Sequence, residues 1–311
     1  MPDIVIAEFM DETAIHDLVQ RHDTLYQPDL VDRPEELLAA LADARALIVR
    51  NRTQVREALL NSAPKLKIIG RLGVGLDNID LEACKARGIR VFPATGANDD
   101  GVAEYVIATI LVLLRGAFHA KQEMLDGQWP RTRLMGREIA GKTLGLIGFG
   151  AIARKTAARA QALGMAISAY DPFLPAEHPA WAEAQRHETL AAMLPGCDAV
   201  SLHVPLGDDT RNMLDAAMLG LMKPDAIVIN AARGGVLDEV ALVNALKAGK
   251  LGGAALDVFA REPLTAEAAA AFMGAPNLIL TPHIAGVSVE SNIRVSAVTA
   301  ANVLKALEEL S

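Results

Sequence analysis

The apolar run Thr143-Leu144-Gly145-Leu146-Ile147 passes directly into Gly148-Phe149-Gly150-Ala151-Ile152-Ala153 and then into a helical pattern. A strand that turns this tightly into a helix commits the chain to a βαβ unit, in which the helix packs back over the sheet and leads to a parallel neighbour. Gly148 permits the tight turn, Gly150 lets the backbone approach a ligand, and Ala153 lets the helix lie close to the strand. The same rhythm runs through the whole chain. Ahead of this segment, apolar runs predict strands over 3–7, 46–49, 66–70 and 90–92, with helical patterns over 14–20, 34–42 and 55–63. After it, strands are predicted over 166–170, 199–203, 226–230, 253–257 and 278–280. Alternating strands and helices imply α/β architecture with mainly parallel sheets, and 311 residues leave room for two such domains, each with its own core.

Between the two sets, 98–116 reads as a long apolar helix opening on Asn98-Asp99-Asp100, residues suited to a helix N-terminus. A helix this apolar is expected to pack between domains or subunits. Gly127-Gln128-Trp129-Pro130 breaks the pattern. The chain finishes in a helix over 289–310, long enough to travel back to the first set.

The net charge of −8 argues against nucleic acid as a partner, since a backbone binder needs clustered Lys and Arg. Cys84 and Cys197 stand far apart in no CxxC pair, which suits a reducing compartment and suggests neither a disulfide framework nor a zinc site. The seven histidines lack tight ligand spacing, so no bound metal is expected. Met1-Pro2-Asp3-Ile4 lacks the features of a signal peptide, and the apolar stretch 106–114 is too short to span a bilayer. A cytoplasmic protein with no membrane partner is expected.

The helix starting near Ala151 and Ile152 offers free N–H groups and the positive end of its dipole to a pyrophosphate. Such a turn also occurs without a ligand. Asp171 strengthens the ligand reading, because it closes the next strand 23 residues after Gly148, near the roughly 20 expected of a ribose-binding acid. A carboxylate there accepts hydrogen bonds from both ribose hydroxyls and repels a 2′-phosphate. Its neighbours are Tyr170 and Pro172, with no Arg beside it, so NAD is expected rather than NADP.

Three later strand ends carry unusual polar residues: Asn230-Ala231-Ala232-Arg233-Gly234-Gly235, Asp257-Val258-Phe259-Ala260-Arg261-Glu262-Pro263, and Thr281-Pro282-His283-Ile284-Ala285-Gly286. In a doubly wound sheet, ligands bind outside the carboxyl ends of the strands. Singly, Arg233 reads as a surface cation, Glu262 as a solvated loop acid and His283 as a satisfied histidine. Delivered from three such ends, they can converge on one site.

With these blocks in view, the sequence resembles the D-isomer-specific 2-hydroxy-acid dehydrogenases, the family of phosphoglycerate dehydrogenase and hydroxypyruvate reductase. The resemblance extends to Gly70-Arg71-Leu72-Gly73-Val74-Gly75-Leu76-Asp77-Asn78-Ile79-Asp80, to Val102-Ala103-Glu104, and to His203-Val204-Pro205-Leu206 followed by Thr210. It implies two doubly wound domains, a Rossmann cofactor domain over 98–286 inserted into a flavodoxin-like substrate domain of 1–97 plus 287–311. It also implies a homodimer formed through the cofactor domains.

The resemblance further implies roles. His283 takes the hydroxyl proton or returns it, and Glu262 fixes its tautomer. Arg233 holds the substrate carboxylate and polarises the developing carbonyl, while the Leu72-Gly73-Val74-Gly75 turn offers N–H groups to the same carboxylate. Asp257 stands for the acid beside the nicotinamide carboxamide. His203, Val204, Pro205, Thr210, Ala231, Ala232, Ala285 and Gly286 join Gly148, Gly150, Ala151, Ile152 and Asp171 as expected cofactor-facing positions. Ala153 replaces the commoner third glycine, and Ala151 stands where relatives usually carry Arg, which removes one pyrophosphate contact.

Arg50, Arg52 and Arg71 fall at strand ends of the substrate domain, and Arg131 and Arg133 resemble an arm exchanged between subunits in this family. Several arginines suggest a second anion on the substrate, since Arg recognises phosphate and sulfonate well; ordinary solvated charges are the alternative. A dianion leaves 3-phosphoglycerate or sulfolactate. The opening Ile4-Val5-Ile6-Ala7-Glu8-Phe9-Met10-Asp11-Glu12 resembles the start of bacterial sulfolactate dehydrogenases, and (S)-sulfolactate has the spatial arrangement of a D-2-hydroxy acid. With the return helix ending at 310, the added regulatory domain of many phosphoglycerate dehydrogenases is not expected. Hydroxypyruvate or glyoxylate reduction is the alternative activity. An NADH-sensing binding protein on the same fold is the alternative of a different class.

Overall fold

A computed structural model describes residues 2–310. The chain divides into two compact units, one running to Asn98 and resuming at Val287, the other Asp99–Gly286.

The first unit holds β1 (Ile4–Ile6), β2 (Thr24–Tyr26), β3 (Ala46–Val49), β4 (Ile68–Arg71) and β5 (Arg90–Pro93). All are parallel, in the order β2-β1-β3-β4-β5, the flavodoxin-like doubly wound arrangement. Alternation along each strand divides its apolar residues between two cores. Ile4, Ile6, Ile48 and Ile68 pack on one face with Val295, Val303 and Leu307 of the final helix, Val289–Glu308. Val5, Leu47, Val49 and Ile69 pack on the other with Leu37, Leu41, Leu59 and Leu60. Gly70 is what lets the final helix come this close, since a Cβ there would lie 2.7 Å from Val303 Cγ2 and 2.9 Å from Thr299 Cγ2.

The second unit holds β6 (Thr143–Ile147), β7 (Ala166–Tyr170), β8 (Gln185–Arg186), β9 (Ala199–Leu202), β10 (Ile227–Asn230), β11 (Gly253–Leu256) and β12 (Leu278–Leu280). Their order is β12-β11-β10-β9-β6-β7-β8, again wholly parallel. The order reverses between β6 and β9, the switch point where an open α/β sheet leaves a crevice at its carboxyl edge. The fully buried pattern of β9, β10 and β11 is what helices on both faces require.

Two expectations need correction. The long helix, Asp99–Arg115, packs inside the second unit: Val106, Ile110, Leu113 and Leu114 join Leu144, Leu146, Ile229 and Ala255 in one core. Its apolar content thus reflects burial against its own sheet. The strands β2 and β8 were not predicted at all. β2 is Thr24-Leu25-Tyr26 and β8 is Gln185-Arg186, so neither carries the apolar run that marks the edge strand β12. Among the described residues, no helix is long and apolar enough to cross a membrane.

Candidate active site

The glycine turn of the second unit has the geometry its sequence implies. Gly148 takes φ +84°, and a Cβ there would meet the His203 carbonyl oxygen at 2.6 Å and Val204 Cγ1 at 2.9 Å. Gly150 precedes the helix Ala151–Ala162; a Cβ on it would meet nothing within 4 Å, and no side chain caps the helix start. Open space above uncapped N–H groups fits a bound pyrophosphate. Ala153 is fully buried against the sheet. Asp171 closes β7 and ties the turn together: Oδ2 accepts the Phe149 N–H at 2.8 Å, and Oδ1 accepts those of Phe173 and Leu174 at 2.9 and 3.1 Å. These residues fit NAD, whose ribose Asp171 would meet from a position its bonds to three backbone N–H groups hold. His203 bonds Ser201 through its ring at 3.0 Å, and burial pushes it down to about 4, so it stays neutral. Thr210 closes the following loop, accepting from Gly207 N–H and donating to Pro205 O.

The three polar strand ends are built by short-range hydrogen bonds. After β10, the buried Asn230 accepts from Ala232 N–H at 3.1 Å and donates to Arg233 O at 2.9 Å, an Asx turn that presents Arg233. Gly234 packs so tightly on the Phe259 carbonyl that a side chain there would collide with backbone, which registers the Arg233 loop against the Glu262 loop. That second loop, after β11, is held by Glu239 accepting from Ala260 N–H at 2.6 Å and by Glu262 Oε1 accepting from Phe259 N–H at 3.0 Å. Burial raises the Glu239 carboxyl, helped by the charges of Asp238 and Glu262 and opposed by the Ala260 N–H.

Glu262 Oε2 lies 2.7 Å from His283 Nδ1. Burial pushes the Glu262 carboxyl upward, but the bonds from His283 and Phe259 N–H and the charges of His283 and Arg233 outweigh it and hold it below the ordinary carboxylate range. The contact makes Nδ1 the ring's internal nitrogen and leaves Nε2 for an outside proton. Such a pair can exchange a proton with a hydroxyl group while a carboxylate stabilises the imidazolium.

His283 itself adopts φ +55°, a left-handed conformation that costs a non-glycine residue roughly 1–2 kcal/mol. The carboxylate of Asp257, buried to 1% exposure, receives Thr281 Oγ1, Ile284 N–H and Ala285 N–H at 2.6, 2.8 and 2.8 Å. The resemblance alone casts Asp257 as a nicotinamide contact. Its carboxylate also carries three protein donors, by which it holds the His283 turn.

In the first unit, the arginines differ from one another. Val49 and Arg71 pair across β3 and β4, which brings Arg50 and Arg71 to neighbouring strand ends. The segment from Arg50 to Thr53 is clamped by two buried residues. Glu8 accepts the N–H groups of Arg50, Arg52 and Thr53 at 2.9, 3.2 and 3.0 Å, and Asn78 donates to Arg50 O and Thr53 O at 3.1 and 2.7 Å. The Arg50 guanidinium meets Asn292 Oδ1 at 2.5 Å and lies over the Phe9 ring at 5.9 Å. Arg52 instead pairs with exposed Asp32, and in the second unit Arg133 pairs with Glu123, so carboxylates of the chain already engage these two. Arg71 Nη1 donates to Leu72 O at 2.7 Å. Leu72 and Gly73 commit their N–H groups to Val49 O and Arg71 O, both at 2.8 Å, which narrows the expected carboxylate cradle to Val74 and Gly75.

Glu8, Asn78, Glu239, Thr281, Tyr105 and Asn292 escaped the sequence reading as site residues. Asn230 alone carried a local signal, an Asn closing an apolar strand ahead of a turn. The others act on partners far along the chain.

The family model for the NAD binding domain of D-isomer specific 2-hydroxyacid dehydrogenases matches residues 107–285. The chain is 52% identical over 307 residues to the (S)-sulfolactate dehydrogenase of Chromohalobacter salexigens, covering 99% of each. It is 40% identical over 273 residues to a D-3-phosphoglycerate dehydrogenase of Methanocaldococcus jannaschii; the match takes in 88% of this chain and 52% of that protein, about half its length. Among solved structures, the D-lactate dehydrogenase of Aquifex aeolicus, complexed with NAD and lactic acid, superposes with a TM-score of 0.85 at 29% identity, over 98% of this chain and 95% of that one.

Proposed function

Since the chain belongs to the D-isomer specific 2-hydroxyacid dehydrogenase family, we propose that it interconverts (S)-sulfolactate and the corresponding 2-oxo acid. Its cofactor is NAD, which when bound supplies the hydride acceptor. The observation that carries the reaction is the His283–Glu262 contact of 2.7 Å in the unit that holds the glycine turn. The choice of acid rests on the likeness to a sulfolactate dehydrogenase over 99% of both chains.

In this reading His283 Nε2 takes the C2 hydroxyl proton as the C2 hydrogen leaves with its electron pair, and returns it in the reverse direction. Glu262 keeps the ring in the tautomer with an open Nε2 and stabilises the positive charge it acquires. Arg233, presented by the Asn230 turn, binds the carboxylate and draws charge toward the forming carbonyl. Arg50 and Arg71 are assigned to the sulfonate.

The test is an NAD-reduction screen over (S)-sulfolactate, 3-phosphoglycerate, glycerate, lactate and malate, alongside hydroxypyruvate and glyoxylate reduction, with His283→Ala as control. Sulfolactate is expected to lead by kcat/KM. Preference for phosphoglycerate or hydroxypyruvate would replace the substrate, and NADH binding without turnover of any acid would replace the enzyme by a sensor.

We also read the chain as a homodimer joined through the cofactor-binding unit. The support is the exposure of Phe118, Leu125, Trp129 and Met135, at 67, 71, 73 and 80%, along one segment of that unit. Light scattering of the purified chain decides it. A cytoplasmic location agrees with Cys84 and Cys197 both being free and buried; cell fractionation tests it.

A further inference from the structure

We propose that Tyr105 is a positioning residue for His283, acting through the hydroxyl of Thr281 and the carboxylate of Asp257. The assignment rests on His283 being the group that moves the proton.

A non-glycine residue in the left-handed region persists where its surroundings over-determine it. At His283 the N–H also reaches Thr281 O at 3.1 Å, and the other bonds that do so converge on one residue. The His283 N–H donates to Asp257 O at 2.8 Å, and the Asp257 carboxylate takes Ile284 N–H on Oδ1 and Ala285 N–H on Oδ2, each at 2.8 Å. Thr281 Oγ1 donates to the same Oδ1 at 2.6 Å. The residues on both sides of His283 are therefore fastened to a single buried side chain. The direction in which the imidazole leaves the backbone follows from how that carboxylate is oriented.

Tyr105 controls the outer end of this arrangement. Its hydroxyl lies 2.6 Å from Thr281 Oγ1. The proton of Thr281 goes to Asp257, so between the two hydroxyls Tyr105 is the donor. Burial raises the Tyr105 hydroxyl above its ordinary value, outweighing the opposing effect of its bond to Thr281, and the nearby Asp257 charge adds to the rise, so it keeps the proton it donates. Tyr105 sits on the helix Asp99–Arg115, whose Val106 and Ile110 are fully buried on the sheet, so the donor is carried by a fixed element. With Tyr105 donating, Thr281 has one rotamer that uses both its donor and its acceptor. Without it, the Thr281 hydroxyl is free to turn, Asp257 Oδ1 loses a donor, and the ring of His283 loses its register on Glu262. Phe in place of Tyr fills nearly the same volume, so what the phenolic oxygen adds is this one contact.

The prediction separates geometry from binding. Tyr105→Phe is expected to lower kcat about 3–10-fold, the loss of one hydrogen bond, with KM for NAD and for the hydroxy acid within about two-fold. Thr281→Val should lower kcat further, roughly 10–100-fold, because it leaves a buried carboxylate short of a donor. Thr281→Ser restores the hydroxyl and should recover most of that loss. The assays use the full chain with whichever hydroxy acid turns over best, and melting temperatures are measured in parallel. The proposal is overturned if Tyr105→Phe and Thr281→Val both keep kcat within two-fold, if Thr281→Ser is as poor as Thr281→Val, or if kcat, KM and melting temperature all decline together. His283→Ala is assayed beside them. Retained turnover there removes the role of His283 and this inference with it, whereas lost turnover there with full activity in the other variants removes only the chain of hydrogen bonds.

Discussion

His283 Nδ1 lies 2.7 Å from Glu262 Oε2, while the backbone of His283 is anchored through Asp257. The residue is therefore fixed at both ends, by the Glu262 carboxylate on its inner ring nitrogen and by the Asp257 carbonyl on its backbone N–H. A histidine held this way needs no reorganisation before it accepts a proton, which is the condition for efficient general base catalysis.

Glu262→Gln keeps the size of the side chain and removes its charge. We expect kcat to drop about 10–100-fold, corresponding to a charge-assisted hydrogen bond of about 1.5–3 kcal/mol. NAD affinity should stay within about two-fold. Steady-state kinetics with a fluorescence titration of NADH checks both, and an unaltered kcat removes Glu262 from the mechanism.

Acid stability follows from the same pair. Glu262 is held below its ordinary value of 4.5. A depressed carboxyl contributes stability that is present above the unfolded value and is lost as pH falls through the folded one. Asp3, lowered chiefly by its bond to Arg45, adds to this with the same sign. Melting temperature should therefore hold above about pH 5 and fall below about pH 4. Glu262→Gln should flatten part of that fall; equal slopes in both proteins would show that the pair contributes nothing to folding.

Two glycines two residues apart should differ in what their loss does to folding. Gly148→Ala forces a side chain into φ +84° and to 2.6 Å from the His203 carbonyl. The melting temperature should drop by several degrees and NAD binding with it. Gly150 has φ −74° and ψ −165°, and its added Cβ meets no protein atom within 4 Å. Gly150→Ala should fold with an unchanged melting temperature and bind NAD at least about 10-fold more weakly, because the new methyl takes ligand space. Normal NAD affinity in Gly150→Ala would move the pyrophosphate elsewhere.

Asp171 holds the glycine turn and is the proposed ribose ligand. Asp171→Ser removes acceptors for Phe149, Phe173 and Leu174 N–H and the repulsion of a 2′-phosphate. The ratio of kcat/KM for NADP over NAD should rise about 10-fold or more, mostly through loss of NAD activity. The melting temperature should fall as well. A ratio that does not move assigns nucleotide choice to other residues.

Arg50 and Arg52 are two residues apart but differ in setting. Arg50 is bound by Asn292 over Phe9, and Arg52 pairs with exposed Asp32. Arg50→Ala should raise KM for sulfolactate about 10-fold or more, the loss of a charge-assisted contact, and leave KM for lactate nearly unchanged. Arg52→Ala should change either by less than about three-fold. Equal effects on both acids would discard the sulfonate contact at Arg50.

What could be read along the chain was what local backbone and short spacing encode. The strand, glycine turn and helix at 143–162 are legible because φ > 0 at Gly148 and a small Ala153 are demands of neighbouring residues on one another. Arg233, Glu262 and His283 stood out because each follows an apolar strand within a few residues, and parallel strands deliver their ends to one edge of a sheet. The edge strands β2 and β8 were illegible because they are only three and two residues long and hold Thr24 and Gln185-Arg186, whereas the edge strands β5 and β12 keep the apolar runs that mark them. Tertiary structure alone decided the rest, where partners lie 176 residues apart, as with Tyr105 and Thr281, or 242, as with Arg50 and Asn292. That Arg52 pairs with Asp32, and that Asp257 holds the turn at His283, depends on which polar groups folding places within about 3 Å, a distance no sequence pattern sets.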